Sequence, residues 1–386
     1  MSQQSYVFGS GVTNVYGVDS FEIGNNYSQY DIVFFSGYTV AGSPAVPTTA
    51  KSLGMATGHY YYSGGAGAAS TAANSPAGAD SLWTQDLFFE PSYPASVDYF
   101  NQTYDATFGD GYYNIANKSE NSLKVKFNLS FDKRSDKETR ALAHFFEDSF
   151  NKGEKPSGAY TGIYFTPFEP YDNQHEFYVE EFTRGFDYPN ANSMSTTLFR
   201  EDQSLLNWQE YYIPFNQTKK FWAVGDSYSK HDMVYLSGSD YVKNQSGWYY
   251  YSGDSETTAT TDNGPAGDES MWTNKQFYFE LQKGLSIQQA PRYLKQPIQN
   301  EYYIRTQDGI NKSLLNLQFS LEGRTDKEAK AIVHFLETRQ GKNQFKFIAP
   351  APYDDPTKVF ICPKWEHKLN YKDNNNVSVN FIEYPI

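Results

Sequence analysis

The chain has 386 residues, 45 acidic against 32 basic side chains, a formal net charge of −13, 18% aromatic residues and one cysteine. That balance repels nucleic acid, offers no basic patch for phosphates, and excludes an intrachain disulfide. No apolar run approaches the roughly 20 residues of a membrane span, while abundant Tyr, Phe and Gly favour many short strands.

Residues 1–20 form an N-terminal arm. Its start, MSQQSYVFGSGV, lacks the charged and apolar regions of a signal peptide. Residues 21–95 read as a small aromatic β module, with YSQYDIVFFSG at 27–37 and GHYYYSGG at 58–65. The small-residue segment 66–80 reads as a surface loop. The module ends on PAGADSLWTQDLFFE at 76–90.

Residues 96–203 read as a larger module. LKVKFNLSF at 123–131 alternates, placing Leu123, Val125, Phe127, Leu129 and Phe131 on one face of a strand. Ser135 and Glu138 then have capping-box spacing, and Ala141, Leu142, Phe145 and Phe146 follow on one helical face. Beyond the helix come a strand, a Pro-bearing turn and another strand.

The same order returns in residues 204–284, a linker and second small module, and in 285–386, a second large module. YSKHDMVYLSG (228–238), GWYYYSGD (247–254), PAGDESMWTNKQFYFE (265–280) and RTDKEAKAIVHFLET (324–338) repeat the first set. Thr325 and Glu328 repeat the cap spacing. Leu315, Leu317, Phe319 and Leu321 repeat the alternating strand, and Ala331, Ile332, Phe335 and Leu336 the helical face. Two copies at so long a period indicate an internal duplication. The expected fold is mainly β with one helix per large module, an α+β pattern of two large and two small β modules.

Catalysis gains no support. Glu180 and Glu181 are adjacent on a strand and face opposite sides. His144 and His334 directly precede core-facing phenylalanines and read as packing residues. No metal, phosphate or nucleophile motif occurs, and DNG at 262–264 suits a turn rather than a calcium loop. The expectation is a non-enzyme without cofactor or metal, in which Cys362 is a small buried strand residue.

FKFIAPAPYDDPTKVFICPKWEHKLNYKDNNNVSVNFIEY in the second large module resembles the C-terminal part of the lambda-type phage minor tail protein M family. FGDGYYNIA at 108–116 resembles a further element of that family. RTQDGINKS at 305–313 keeps Asp308 and Gly309 of it and loses the aromatics. The resemblance implies two tail-tube-like β-sandwich modules in a virion tail-tip or baseplate ring, assembled in the host cytoplasm. The implied partners are copies of itself, the tail tube and tail-tip hub proteins, with DNA only in transit and no membrane insertion. If one module makes a sixfold ring, a two-module chain closes the same ring as a trimer.

The small modules resemble carbohydrate-binding modules of the chitin/cellulose type. The second copy carries Tyr228, Asp232, Val234, Tyr235, Gly238, Tyr241, Pro265 and Trp272. The first carries Tyr27, Asp31, Val33, Phe34, Gly37, Pro76 and Trp83. Sugar rings stack on exposed aromatic planes, which makes Tyr38, Tyr60, Tyr61, Tyr241, Trp248, Tyr249 and Tyr250 the candidates. Trp83 and Trp272 read as core anchors, and each YYY run must bury at least one ring. The alternative function is a carbohydrate-binding adhesin contacting host cell-surface glycan.

Overall fold

A computed structural model describes residues 6–8, 12–14, most of 18–200 and most of 221–385. Residues 39–47, 50–57, 152–161, 201–220, 237–246 and 266–269 are among those outside the description. The first half carries β1 (Ile32–Phe35), β2 (Gly58–Tyr62), β3 (Trp83–Thr84), β4 (Ser92–Asn101), β5 (Leu123–Arg134), α1 (Asp136–Asn151), β6 (Ile163–Phe165), β7 (His175–Tyr188) and β8 (Ala191–Arg200). The second carries β9 (Met233–Leu236), β10 (Gly247–Tyr251), β11 (Trp272–Thr273), β12 (Ser286–Pro291), β13 (Ser313–Arg324), α2 (Asp326–Arg339), β14 (Phe345–Lys346), β15 (Val359–Ile361), β16 (Lys364–Tyr371) and β17 (Asn374–Tyr384). The fold is mainly β.

The chain forms two compact units, residues 1–92, 129–165 and 174–198 in one, and 93–128, 166–173 and 199–386 in the other. This division does not follow the sequence repeat. Residues 93–128, from the first half, belong to the unit built mostly from the second half.

In the first unit, β3, β2 and β1 form an antiparallel sheet extended by the Asp19–Ser20 strand. One face buries Val33, Phe35, Tyr60, Tyr62 and Trp83 with Phe21. Strand alternation sends Tyr61 to the other face, where its hydroxyl meets His144 Nδ1 of α1 at 2.9 Å. Lys137 of α1 reaches Asp31 at 2.8 Å and the Ser28 hydroxyl at 2.6 Å. The remaining strands of this unit run β6, β7, β8 and the second half of β5.

The second unit repeats these contacts. Strands β9, β10 and β11 form its small sheet, with Val234, Leu236, Tyr249, Tyr251 and Trp272 in one cluster. The Tyr250 hydroxyl meets His334 Nδ1 at 2.9 Å, and Lys327 reaches Asp232 at 2.9 Å and the Ser229 hydroxyl at 2.6 Å. The large sheet follows the order β4, β16, β17, β13, β12. Two hairpins, Thr103–Thr107 with Tyr113–Asn117 and Tyr293–Pro297 with Tyr303–Gln307, extend from it.

Both alternating strands bury the expected faces: Leu123 through Phe131 in β5, and Leu315 through Leu321 in β13. Ser135 and Thr325 cap their helices, accepting from the backbone N–H of Glu138 at 3.1 Å and Glu328 at 3.3 Å. The two glutamates do not complete a reciprocal capping box. Each turns to the guanidinium four residues before it, Glu138 to Arg134 at 3.0 Å and Glu328 to Arg324 at 2.7 Å. Ser135→Ala or Thr325→Ala is therefore expected to cost about 1 kcal/mol of stability in urea titration.

Two local expectations change. Segment 66–80 is not only surface loop: Ala68–Ala69 pairs with Asn26–Tyr27, and Ser70 and Ser75 are buried. Cys362 is buried, but it sits just beyond β15 rather than inside a strand, and burial pushes its thiol up to about 12.

Candidate assembly interface

Strand β4, from the first half of the sequence, pairs antiparallel with β16, from the second. Ala95 faces Leu369, Val97 faces His367, and Tyr99 faces Trp365. All six side chains are buried. The Tyr99 and Trp365 rings stack with centroids 5.2 Å apart and planes inclined by 13°.

A one-way hydrogen-bond chain locks this seam. The Tyr99 hydroxyl donates to Tyr171 at 2.9 Å, and the Tyr171 hydroxyl donates to His367 Nδ1 at 2.5 Å. His367 Nε2 then donates to Asn375 Oδ1 at 3.0 Å, and Asn375 Nδ2 donates to Asp326 Oδ1 at 2.7 Å. This assignment follows from the donors and acceptors available. It needs a neutral imidazole, and burial supplies one by pushing His367 down to about 4. Asn375 Nδ2 also donates to the Arg324 carbonyl at 3.2 Å, tying the chain to the start of α2.

The positions equivalent to this seam recur at two strand edges. At the turn after β7, Asn190 has φ 59° and its N–H donates to Asp136, while Asn192 Nδ2 donates to Asp136 at 2.7 Å. At the turn after β16, Asp373 has φ 56° and its N–H donates to Asp326, while Asn375 plays the part of Asn192. The last residues of β7 thus match β16, so Arg184 stands where His367 does and Phe186 where Leu369 does. Likewise, the backbone carbonyls of Glu90 and Glu280 accept from Arg134 and Arg324. The side chains of Ser92 and Gln282 accept from the N–H of Asp132 and Glu322. Strand β12 thus matches β4, with Ile287 at the place of Val97 and Leu285 at that of Ala95.

Among the described residues, β12 ends the strand order of the second unit, and β6 and β7 end that of the first. β6 meets β7 along the first residues of β7, Phe165 with His175 through Ile163 with Phe177, and bridges Leu87 through Phe165. Exposure at these edges contrasts with the seam. Phe186 is 70% exposed where Leu369 is 1%. Arg184 and Gln289 are exposed where His367 and Tyr99 are buried, and Ile287 and Leu285 are half-buried where Val97 and Ala95 are buried.

Residues 275–384 match the family model of the phage minor tail protein. The minor tail protein match starts at Lys275, just after β11, and takes in β12, β13, α2 and β14 through β17. One edge strand and the second half of the seam therefore lie inside the matched region. No curated protein matches the chain. Among the described residues, no helix is long and apolar enough to cross a membrane.

The aromatic candidates for sugar stacking sit largely inside the small sheets. Tyr60, Tyr61, Trp248, Tyr249 and Tyr250 are 0–9% exposed. Tyr60 and Tyr249 face the small clusters that also hold Trp83 and Trp272. Tyr61 and Tyr250 face the helices through their histidines. Trp248 packs edge-on to His334 with centroids 4.5 Å apart. Tyr38 belongs to the Gly37–Tyr38 strand, but its side chain and the whole of Tyr241 lie outside the described residues, as do residues 108–112, Asp308 and Gly309. A stacking role in these modules therefore rests on Tyr38 and Tyr241.

Sequence reasoning placed Tyr61 and Tyr250 among the stacking candidates and missed the tyrosine–histidine pairing across from them. The signal was available: each triplet's middle tyrosine and the helix histidine recur together in both halves. Tyr250→Phe leaves His334 Nδ1 buried without its hydroxyl partner, and is expected to cost about 1–3 kcal/mol in urea titration.

Proposed function

We propose that the chain is a structural subunit of a phage tail tip or baseplate. It forms a ring that joins the tail tube to distal host-recognition components. Residues 96–203 and 285–386 act as two copies of one ring-forming module, and residues 21–95 and 204–284 hold small β modules at the periphery. The similarity of residues 275–384 to phage minor tail proteins supports the tail assignment.

The observation that carries the ring reading is the β4–β16 seam. It joins dissimilar edges of two equivalent parts, which is a heterologous contact. Such contacts repeat head to tail and close into a ring when their rotation permits. The internal duplication is supported by the paired hydrogen bonds of Tyr61 with His144 and Tyr250 with His334. A chain with two such parts would close a six-module ring as a trimer. The surplus of 45 acidic over 32 basic residues keeps phosphates from binding as DNA passes.

Particle imaging tests this reading. With the protein carrying a gold-binding tag, density is expected at the tail end distal to the capsid. Label on the capsid, or on no particle at all, overturns the assignment.

A further inference from the structure

We propose that β12 of one chain adds to β7 of a second copy, as an antiparallel pair that repeats the internal β4–β16 seam. This rests on the ring reading above and names the strands and register that make the contact. The two edges match the two sides of the seam by the turn, cap and arginine contacts already described. The register transfers residue by residue. Where Ala95 faces Leu369 and Val97 faces His367 inside the chain, Leu285 faces Phe186 and Ile287 faces Arg184 between chains. Gln288 then lies opposite Thr183.

An unpaired sheet edge is a template for strand addition. The pattern of side chains argues for this particular strand and register. Leu285, just before β12, and Ile287 within it lie two apart on one face, and Arg184 and Phe186 do the same on β7. The added strand covers Phe186, now 70% exposed, and buries Ile287. The Arg184 guanidinium already lies over the Phe186 ring at 4.3 Å, which holds the two side chains as one surface. A one-residue slip would turn Leu285 and Ile287 to the face opposite Arg184 and Phe186, so the register is specified. Each chain carries one edge of each kind, so the contact runs head to tail and two identical edges do not meet.

Cysteine cross-linking between co-expressed chains carrying different tags tests the pairing. One chain has Ile287→Cys and the other Arg184→Cys, so any disulfide between them is intermolecular. Directly opposed residues of an antiparallel pair lie about 4.5–5.5 Å apart, within disulfide range. Cys362 is buried and takes no part. Mild oxidation is expected to convert most of the pair into a dimer carrying both tags. Pairing Ile287→Cys with Tyr188→Cys, four residues off register and about 13 Å away, is expected to give at least tenfold less. Equal linking in both pairs overturns the register. Oligomers by sedimentation with no link at either pair overturn the edge pairing and leave the ring reading standing. Monomers throughout, for wild type and variants alike, remove the ring reading and this inference with it.

Discussion

Trp365→Ala is expected to lower stability by about 3–5 kcal/mol, a large part of what a typical domain possesses. Trp365 is buried at the centre of the seam, opposite Tyr99 and stacked on it. Alanine removes the stack and leaves a cavity beneath the Tyr99–Tyr171–His367 chain. Trp365→Phe is the informative companion. It keeps a ring against Tyr99 and removes an indole N–H that is buried without an acceptor among the described residues. An unmet donor costs about 1–3 kcal/mol, so the phenylalanine variant is expected to stay within about 1.5 kcal/mol of wild type. Urea titration reads both. An alanine variant that loses less than 1 kcal/mol would mean the seam contributes little to the fold.

The second large effect is acid sensitivity well above the carboxylate range. Burial pushes His367 down to about 4 and His334 down to about 3. An unfolded histidine titrates near 6.5. Below that pH the unfolded chain binds protons that the folded chain refuses, so stability is full above about pH 6.5 and falls as pH drops. The loss continues until the folded pKa values are reached, near 4 for His367 and 3 for His334. Each histidine contributes a slope of up to about 1.4 kcal/mol per pH unit, and the total is larger for His334, whose pKa falls further. Denaturation midpoints between pH 7 and 4 check this. His231, also pushed down to about 4 by burial, shares this slope, so His367→Gln is expected to remove roughly a third of it, while an unchanged slope would refute the assignment to buried neutral imidazoles. Asp136, Asp254 and Asp355 also titrate lower in the folded chain than in the unfolded one. Their pKa values are lowered by hydrogen bonds from Asn192, Lys230 and Thr357 respectively, so their contribution is lost only at lower pH.

Elements governed by local pattern were legible in the sequence. The alternation from Leu123 to Phe131 dictates which face of β5 is buried, because successive side chains of a strand point to opposite sides. Ser135 and Thr325 stop competing turn structures and begin helices at the positions their spacing indicates. The duplicated strings told equally well that Tyr61 and Tyr250 share one environment, though not that the environment is a helix histidine.

The seam was not legible. Ala95 and Leu369 are far apart in sequence, and β4 has an equally good local pattern for any edge it could meet. Which strand pairs with which is set by long-range closure, and no periodicity within either strand encodes it. The exposed Phe186 illustrates the same limit. In sequence it continues the aromatic run of β7, and only its match to the buried Leu369 gives its exposure a meaning. Cation–π pairs at the hairpin, such as Lys295 over Tyr303 at 3.6 Å, also arise from cross-strand register rather than local spacing.

Native mass spectrometry of the full-length protein distinguishes a trimeric ring subunit from a monomer. An assembly of three 44.0 kDa chains is expected, and Ile287→Lys, a charge on the β12 edge, is expected to reduce it to monomer with an unchanged far-UV circular dichroism spectrum. A wild-type protein that stays monomeric at every concentration up to that of tail assembly would contradict it.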